Sequence, residues 1–564
     1  MKSLFFRNVS LLLIAFLLFG CNSNKQVTKV VGEKLPFTWD NATIYFMMTD
    51  RFYNGDPSND YQHNLENTPA PLRGYMGGDI KGITKKINDG YFSDLGVNAI
   101  WMTPLVEQIA GSVDEGTGNS FGFHGYWTRD WTALDPKFGT GADLKEMIDS
   151  AHKRGIRVLM DVVANHTGPV TELDSKWPDD WVKTGPRCTY QSAETTINCT
   201  LVDNLPDIKT ESDKEVELPQ FLIEKWKNEE RYEIEVQELD AWFSDTKLKR
   251  TPVNYILKWI IDFIKEYGVD GYRVDTVKHT EDLVWTVLKK EASKAFSQWK
   301  KENPTAKLDD NDIYMVGEVY NYYAGNGRIF DYGDQKVDFF KDAFSSLINF
   351  DFKGDAHKSY EEIFSKYNDL LHGELKGKSV VNYVSSHDDG GPFDLMRKKP
   401  FEAGTKLLLC PGGVQIYYGD ESARDLTIEE ASGDAKLRSF MNWDELLAMK
   451  QKNGYTVNDV LVHWQRIGKF RNNHPAIGAG KHEMVSKSPY MFTRSWTAPN
   501  GVSDKVLVGL GMGKGQMLID VSVLAKDGET VQDMYSGVSQ VVKDGKVMID
   551  SMFDIVLLEI SSNK

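Results

Sequence analysis

Positive charge is what this 564-residue chain is short of: 66 Lys and Arg stand against 82 Asp and Glu, a formal net charge of −16. The acidic residues are spread along the chain and not gathered in one tail. That argues against nucleic acid and anionic membrane as partners, because both require a basic surface. Cysteine is scarce at four residues, and no CxxC pair suggests a structural zinc. No apolar run reaches the ~20 residues that a membrane-spanning helix needs. Internal repeats and low-complexity tracts are also lacking. The chain is too long for one ordinary domain, so two or three are expected, and its 41% hydrophobic content suffices for a large core.

Aromatic residues are plentiful, 12% of the chain with 14 tryptophans. Sugar rings stack on aromatic faces, although most of these rings are expected in the core. The N-terminus has the build of a processing signal: Lys2 and Arg7, the apolar stretch LLLIAFLLFG at 11–20, then Cys21. Small Gly20 before Cys21 resembles the lipobox of bacterial lipoproteins. The resemblance implies a signal peptide over 1–20, acylation of Cys21 and a tether over 21–36. A plain secretory peptide is the alternative, disfavoured because no small-x-small cleavage site precedes Cys21. Cys188 and Cys199 lie close together in a loop-rich region, and an exported context favours a disulfide between them. Cys410, in the apolar run KLLLCPGG, reads as a buried core residue.

From residue 40 to about 470, strand-like and helix-like stretches alternate. The strand candidates are 42–47, 97–102, 156–162, 269–274, 312–317, 346–351, 380–384 and 413–418, and eight is the number a closed (β/α)8 TIM barrel needs. Between them, 283–299 places Val284, Leu288, Ala295 and Trp299 on one face, as an outer helix would. The interval between the third and fourth strands is far longer than an ordinary connection and reads as a functional insertion. Beyond about 478 the pattern changes to short alternating strands with Asp-Gly turns at 527–528 and 544–545, which predicts an antiparallel β-sandwich. The expected organisation is a barrel over 37–165 and 252–477, an inserted domain over 166–251 and a C-terminal β domain over 478–564.

Three segments, GYRVDTVKH at 271–279, MVGEVY at 315–320 and VNYVSSHDD at 381–389, each deliver one carboxylate from the end of a β-branched and aromatic run. These are Asp275, Glu318 and Asp388. A fourth, DVVANH at 161–166, closes on Asn165 and His166. Any one of these acids alone would pass for a solvated side chain; four motifs in order make a site. Together they resemble the ordered motifs of the α-amylase family of glycoside hydrolases, over nearly the whole chain from about Trp39.

The resemblance implies a retaining hydrolase with Asp275 as nucleophile, Glu318 as acid/base and Asp388 as transition-state stabiliser. Arg273, two residues before Asp275, should lie on the same side of its strand, and an enclosed site should raise the pKa of Glu318. His124 and Tyr126 in FHGYW, with His166 and His387, match sugar-binding residues; Lys278, His279 and Tyr320 match the acceptor side. A calcium held by Asn165, Asp207 and the His279 backbone carbonyl is implied. A second is suggested by NGDPSND at 54–60 with GGD at 77–79, through Asn54, Asp56, Asn59, Asp60, Asp79 and the Gly77 carbonyl.

Internal cleavage of α-1,4-glucans is the expected activity, with a closer likeness to periplasmic α-amylases. The alternative is a cyclodextrin-forming or other α-glucan transglycosylase, or a cyclomaltodextrinase, with the cyclising activity supported by the second calcium loop. Two features count against it: a single β domain at the end, and Asp203 and Asn204 where a cyclising enzyme would carry a central aromatic. A non-catalytic glucan-binding protein is a further alternative. The chain is expected to be a monomer anchored by lipid at a bacterial cell envelope.

Overall fold

The computed structural model describes residues 35–63 and 68–561. The signal-peptide segment, Cys21 and all but the last two residues of the expected tether lie outside them. Eight parallel strands close into a barrel: β1 (Thr43–Met47), β2 (Ala99–Met102), β3 (Arg157–Val162), β4 (Gly271–Val274), β5 (Tyr314–Gly317), β6 (Ser346–Asn349), β7 (Ser379–Tyr383) and β8 (Gly413–Tyr417). Closure is direct, because β1 pairs with both β2 and β8. Each lies within one of the eight segments read from the sequence, or within a residue of it. Every residue of the eight strands is buried, as expected when helices cover a parallel sheet outside and side chains fill it inside.

The outer helices carry the signals that fix their ends. Thr140 and Asp143 form a reciprocal capping box at the start of Gly141–Lys153, and Thr456 with Asp459 does the same for Val457–Asn473. Pro252–Tyr267 ends on Gly268, at φ 76°, where a Cβ would stand 2.1 Å from the Trp299 ring, so only glycine fits. Trp299 comes from the helix Asp282–Glu302, which buries Val284, Leu288 and Ala295 as its periodicity predicts.

Between β3 and Pro252–Tyr267 lies the insertion. It contains a short antiparallel pair, Val182–Lys183 with Asp207–Ile208, the Cys188–Cys199 disulfide and two helices, Gln220–Asn228 and Tyr232–Thr246. A buried ion cluster bolts it to the barrel: Asp130 accepts from Lys225 at 2.9 Å and Arg231 at 3.0 Å. Cys410 is free and fully buried.

From Lys481 onward the chain is β structure, a six-stranded antiparallel sheet facing a two-stranded one, Gly515–Asp520 with Lys546–Ser551. Residues of Lys546–Ser551 alternate strictly between exposed and buried. The Asp544-Gly545 turn has both residues at positive φ, 51° and 71°, as a two-residue hairpin requires.

His474 joins barrel and β domain. Its Nδ1 bonds Asp504 at 2.9 Å and its Nε2 bonds Glu559 at 2.5 Å. Burial opposes the charge, but the two carboxylates outweigh it and lift the imidazole to about 9. An unfolded histidine titrates near 6.5, so this contribution is full below that pH and lost as pH rises through about 9. His474→Gln is expected to lower stability at pH 6 by roughly 3 kcal/mol and to flatten the decline between pH 7 and 10, measured by chemical denaturation.

Candidate active site

One guanidinium organises the centre of the barrel. Arg273, on β4 and 1% exposed, reaches Asp275 Oδ1 at 2.7 Å and Glu318 Oε2 at 3.3 Å. Asp275 follows β4 directly and Glu318 follows β5 directly, and the parallel register Val274↔Gly317 brings them side by side. The turn between them is unusual: Thr276 is β-branched yet sits at φ 48°. In that conformation its N–H donates to Glu318 Oε2 at 2.9 Å, and Val277 N–H donates to the Glu318 carbonyl at 2.9 Å.

Burial lifts the Glu318 carboxyl to about 8, with Arg273 opposing and the charges of Asp275 and Asp388 adding to the rise. A carboxyl in that state carries a proton at neutral pH. Asp388 behaves oppositely. Burial pushes it up, but His387, Arg273 and Arg438 outweigh burial and hold it below the ordinary value. It is also placed differently from the strand-end position read in the sequence: β7 stops at Tyr383, and Asp388 stands in the following loop. That loop is tied down by Asp389, which pairs with Lys353 and accepts from Tyr383 Oη at 2.7 Å.

Imidazole and phenol rings make one wall. Tyr126 stacks on His387 with centroids 5.4 Å apart and lies 5.9 Å from His124. His166 Nε2 lies 3.2 Å from the Tyr126 carbonyl, while its buried Nδ1 has no protein partner. Burial lowers the pKa of His124 and His166 and takes His387 to about 4. All three are therefore neutral near pH 7 and suited to hydrogen bonds with uncharged hydroxyls. Across the cleft, Lys278 Nζ donates to the Tyr320 carbonyl at 3.1 Å, within 6 Å of the Tyr190, Tyr320 and Phe330 rings. His279 Nδ1 bonds the Thr196 carbonyl at 2.8 Å, inside the disulfide loop.

The first expected cation position has the right donors. Ile208 N–H donates to the Asn165 carbonyl at 2.7 Å, which sets Asp207 beside Asn165, and Thr280 Oγ1 donates to Asn165 Oδ1 at 3.4 Å, which brings the His279 turn alongside. Asp207 Oδ1 is buried without a partner, and burial lifts this carboxyl to about 8. A buried carboxylate oxygen next to an amide and backbone carbonyls fits a hard cation. The second position fits in part. Asn54, Asp60 and the Gly77 backbone converge so closely that a Cβ on Gly77 would stand 2.5 Å from Asp60 Oδ1, and Asn54 Oδ1 and Asn59 Oδ1 are buried without partners. Asp56, however, is paired with Lys81, and Asp79 is spent on the N–H groups of Gly55, Asp56 and Gly82. Among the described residues no three Asp, Glu, His or Cys side chains converge as a metal-holding group.

The family model for the alpha amylase catalytic domain matches residues 46–480. The chain belongs to the alpha-amylase family. It is 36% identical over 533 residues to the periplasmic alpha-amylase of Escherichia coli, covering 84% of this chain and 72% of that one. To the cyclomaltodextrin glucanotransferase of Thermoanaerobacterium thermosulfurigenes it is 25% identical over 507 residues, covering 88% of this chain and 64% of the relative. Among solved structures, the cyclomaltodextrin glucanotransferase CldA, which has a three-domain ABC distribution, superposes with a TM-score of 0.61 at 21% identity, covering 92% and 99%.

Two residues to which sequence reading assigned no role hold the motifs in place. Asp161, inside β3 and opposite Arg273 in the β3–β4 register, accepts from Arg273 Nη1 at 2.9 Å, Tyr126 Oη at 2.8 Å and Trp101 Nε1 at 3.0 Å. It thereby couples the stacking tyrosine to the cation beside Asp275. Arg438 donates through Nε to the His387 carbonyl at 3.0 Å. The apolar neighbours in DVV conceal Asp161; an acid mid-run in an otherwise apolar strand was the available signal.

Proposed function

We propose that this protein is an α-amylase that cleaves internal α-1,4 bonds of starch, glycogen or maltodextrins with retention. The observation that carries this reading is a single guanidinium shared by an acceptor carboxylate, Asp275, and a proton-holding carboxyl, Glu318. Such a pairing suits the close spacing of about 5–5.5 Å between carboxyl groups that retention uses. Asp275 attacks the anomeric carbon as the glycosidic bond breaks, and the departing oxygen takes the Glu318 proton. Water then attacks the glycosyl–Asp275 ester, giving its proton to Glu318 and freeing Asp275. The neutral imidazoles of His124, His166 and His387 bind hydroxyls of the sugar being transferred, and Asp388 stabilises its positive charge.

Cyclisation is the second reading, favoured by the likeness to glucanotransferases. The single β domain does not weigh against it, since CldA has three domains as well. What favours water as acceptor is the loop before Asp207: Asp203 pairs with Arg187 at the surface and Asn204 turns at φ 57° to bond the Val170 carbonyl, so neither offers a ring. A time course of products from amylose, with Glu318→Gln in parallel, tests the assignment. Linear oligosaccharides from the unaltered enzyme alone support it; rings favour the transferase, and no product from either protein favours a glucan-binding role.

Calcium is part of the proposal, held at Asn165, Asp207 and the His279 carbonyl, where it would join the inserted domain to the barrel and do no chemistry. Adding 1 mM calcium, chosen as on the order of the weaker protein sites, to chelated protein is expected to raise Tm by several degrees, and Asp207→Asn should remove most of that gain. An unchanged Tm would sink the assignment. Export is supported by a periplasmic relative, and acylation at Cys21 by the lipobox-like sequence alone; incorporation of labelled fatty acid that persists in Cys21→Ser would refute the anchor.

A further inference from the structure

We propose that Lys353, which lies in none of the four motifs, is a positioning residue for Asp388 and acts on it through Asp389. This rests on the α-glucanase reading above, in which Asp388 stabilises charge on the sugar. The starting observation is how little holds the Asp388 carboxylate itself. Its side chain accepts from its own backbone N–H, and its contacts with Ser386 Oγ at 3.4 Å and the His387 ring at 3.7 Å are longer than firm hydrogen bonds. All of these partners belong to the same loop, and the side chain is 32% exposed. Four residues of loop also separate Asp388 from β7, so its place depends on what ties the loop to the barrel.

The ties lie on either side of it. Before it, Arg438 Nε donates to the His387 carbonyl at 3.0 Å. After it, Asp389 is 6% exposed and uses both carboxylate oxygens. Oδ2 accepts from Tyr383 Oη at 2.7 Å, and Oδ1 accepts from Gly391 N–H at 3.1 Å and from Lys353 Nζ. Tyr383 is the last residue of β7, and Lys353 stands in the one-turn helix Phe352–Asp355 that follows β6. The Asp389 carboxylate therefore pins the loop to two neighbouring strands at once. Lys353 is its one ion-pair partner among the described residues. The ammonium is packed against the loop backbone, since a Cβ on Gly391 would stand 3.4 Å from Nζ.

Without the ammonium, Asp389 is a buried carboxylate that lacks its cation, and the loop relieves this by moving Asp389 toward water. Asp388 is the adjacent residue and moves with it. A misplacement of about 1 Å in a catalytic group is enough to cost about 100-fold in rate. His387 keeps its Arg438 bond and its stack on Tyr126, so the wall that binds sugar hydroxyls stays in place. The loss then falls on the transition state and not on substrate binding.

Lys353→Met is expected to lower kcat on amylose roughly 10- to 100-fold with little change in KM, and Lys353→Arg, which keeps the charge, should retain most of the rate. Asp389→Ala cuts all three ties and should lower kcat at least as far. Lys353→Met placed on Asp389→Ala should cost nothing more, because the lysine acts only through that carboxylate. This last comparison leaves no buried charge unpaired, so it decides the matter even where Lys353→Met alone fails to fold, and a thermal melt of each variant verifies folding. A further loss in the double variant, an unchanged kcat in folded Lys353→Met, or a rise in KM that accounts for the lost kcat/KM overturns the positioning role and leaves the glucanase assignment in place. An unaltered protein inert on every α-1,4-glucan overturns both together.

Discussion

Glu318→Gln is expected to reduce turnover of amylose roughly 10³–10⁴-fold, the upper range for loss of a general acid. The alkoxide of a sugar is a poor leaving group, so its departure needs the proton that Glu318 holds. Fluoride leaves a glycosyl fluoride without one, and on maltosyl fluoride the variant should retain far more of its first-step rate. The contrast between the two substrates separates loss of a proton donor from loss of the fold. The unaltered enzyme should lose activity on amylose as pH rises through about 8, where Glu318 gives up its proton, and this limb should be absent from the fluoride reaction.

The same substitution should stabilise the protein. An unfolded glutamate titrates near 4.5, and folding raises Glu318 to about 8. Between those values the folded state binds more protons than the unfolded one, so stability falls as pH rises through that window. Glutamine removes this dependence. Tm of Glu318→Gln is therefore expected to exceed that of the unaltered protein, by a margin that widens from pH 5 to pH 8. A lower Tm for the variant at pH 8 would mean that the proton-holding state of Glu318 has been misassigned.

The barrel was legible because its strands are buried on both faces. Segments such as IYFM at 44–47 and AIWM at 99–102 read as continuous apolar runs, and the number and spacing of the strand-like segments left little choice of architecture. Asp275 and Glu318 were legible for the same reason, each being the first polar residue after a strand. Asp388 was identified by its motif but misplaced, since four residues of loop separate it from β7. What could not be read was anything that depends on register or on loop shape. Asp161 acts only because β3 lies beside β4 with Asp161 opposite Arg273, and pairing offset is not written in either strand. The hairpin after β5 was silent as well: Phe330–Asp331 and Lys336–Val337 are two residues each, too short for a period-two pattern.

Arg273→Gln is the second large effect, and its origin is electrostatic. Arg273 serves Asp161, Asp275 and Glu318 at once from a position 1% exposed. Without it, two buried carboxylates have no cation, and removing one partner of a buried pair costs about 3–5 kcal/mol. Asp161 already titrates near 6 because burial raises it, even with Arg273 pulling it down; without the guanidinium it moves further up. The stability deficit of Arg273→Gln should therefore shrink as pH is lowered toward about 6, the range in which Asp161 takes up a proton in the variant but not yet in the unaltered protein. Adding Asp161→Asn should restore much of the stability at pH 7, because a neutral amide can still accept from Trp101 and Tyr126. It should not restore activity, which should stay at least ~10³-fold down, since Asp275 still lacks its ion-pair partner. A double variant that recovers both stability and turnover would assign Arg273 to packing alone; recovery of stability without turnover assigns it to the chemistry, with Asp161 as the residue that positions it.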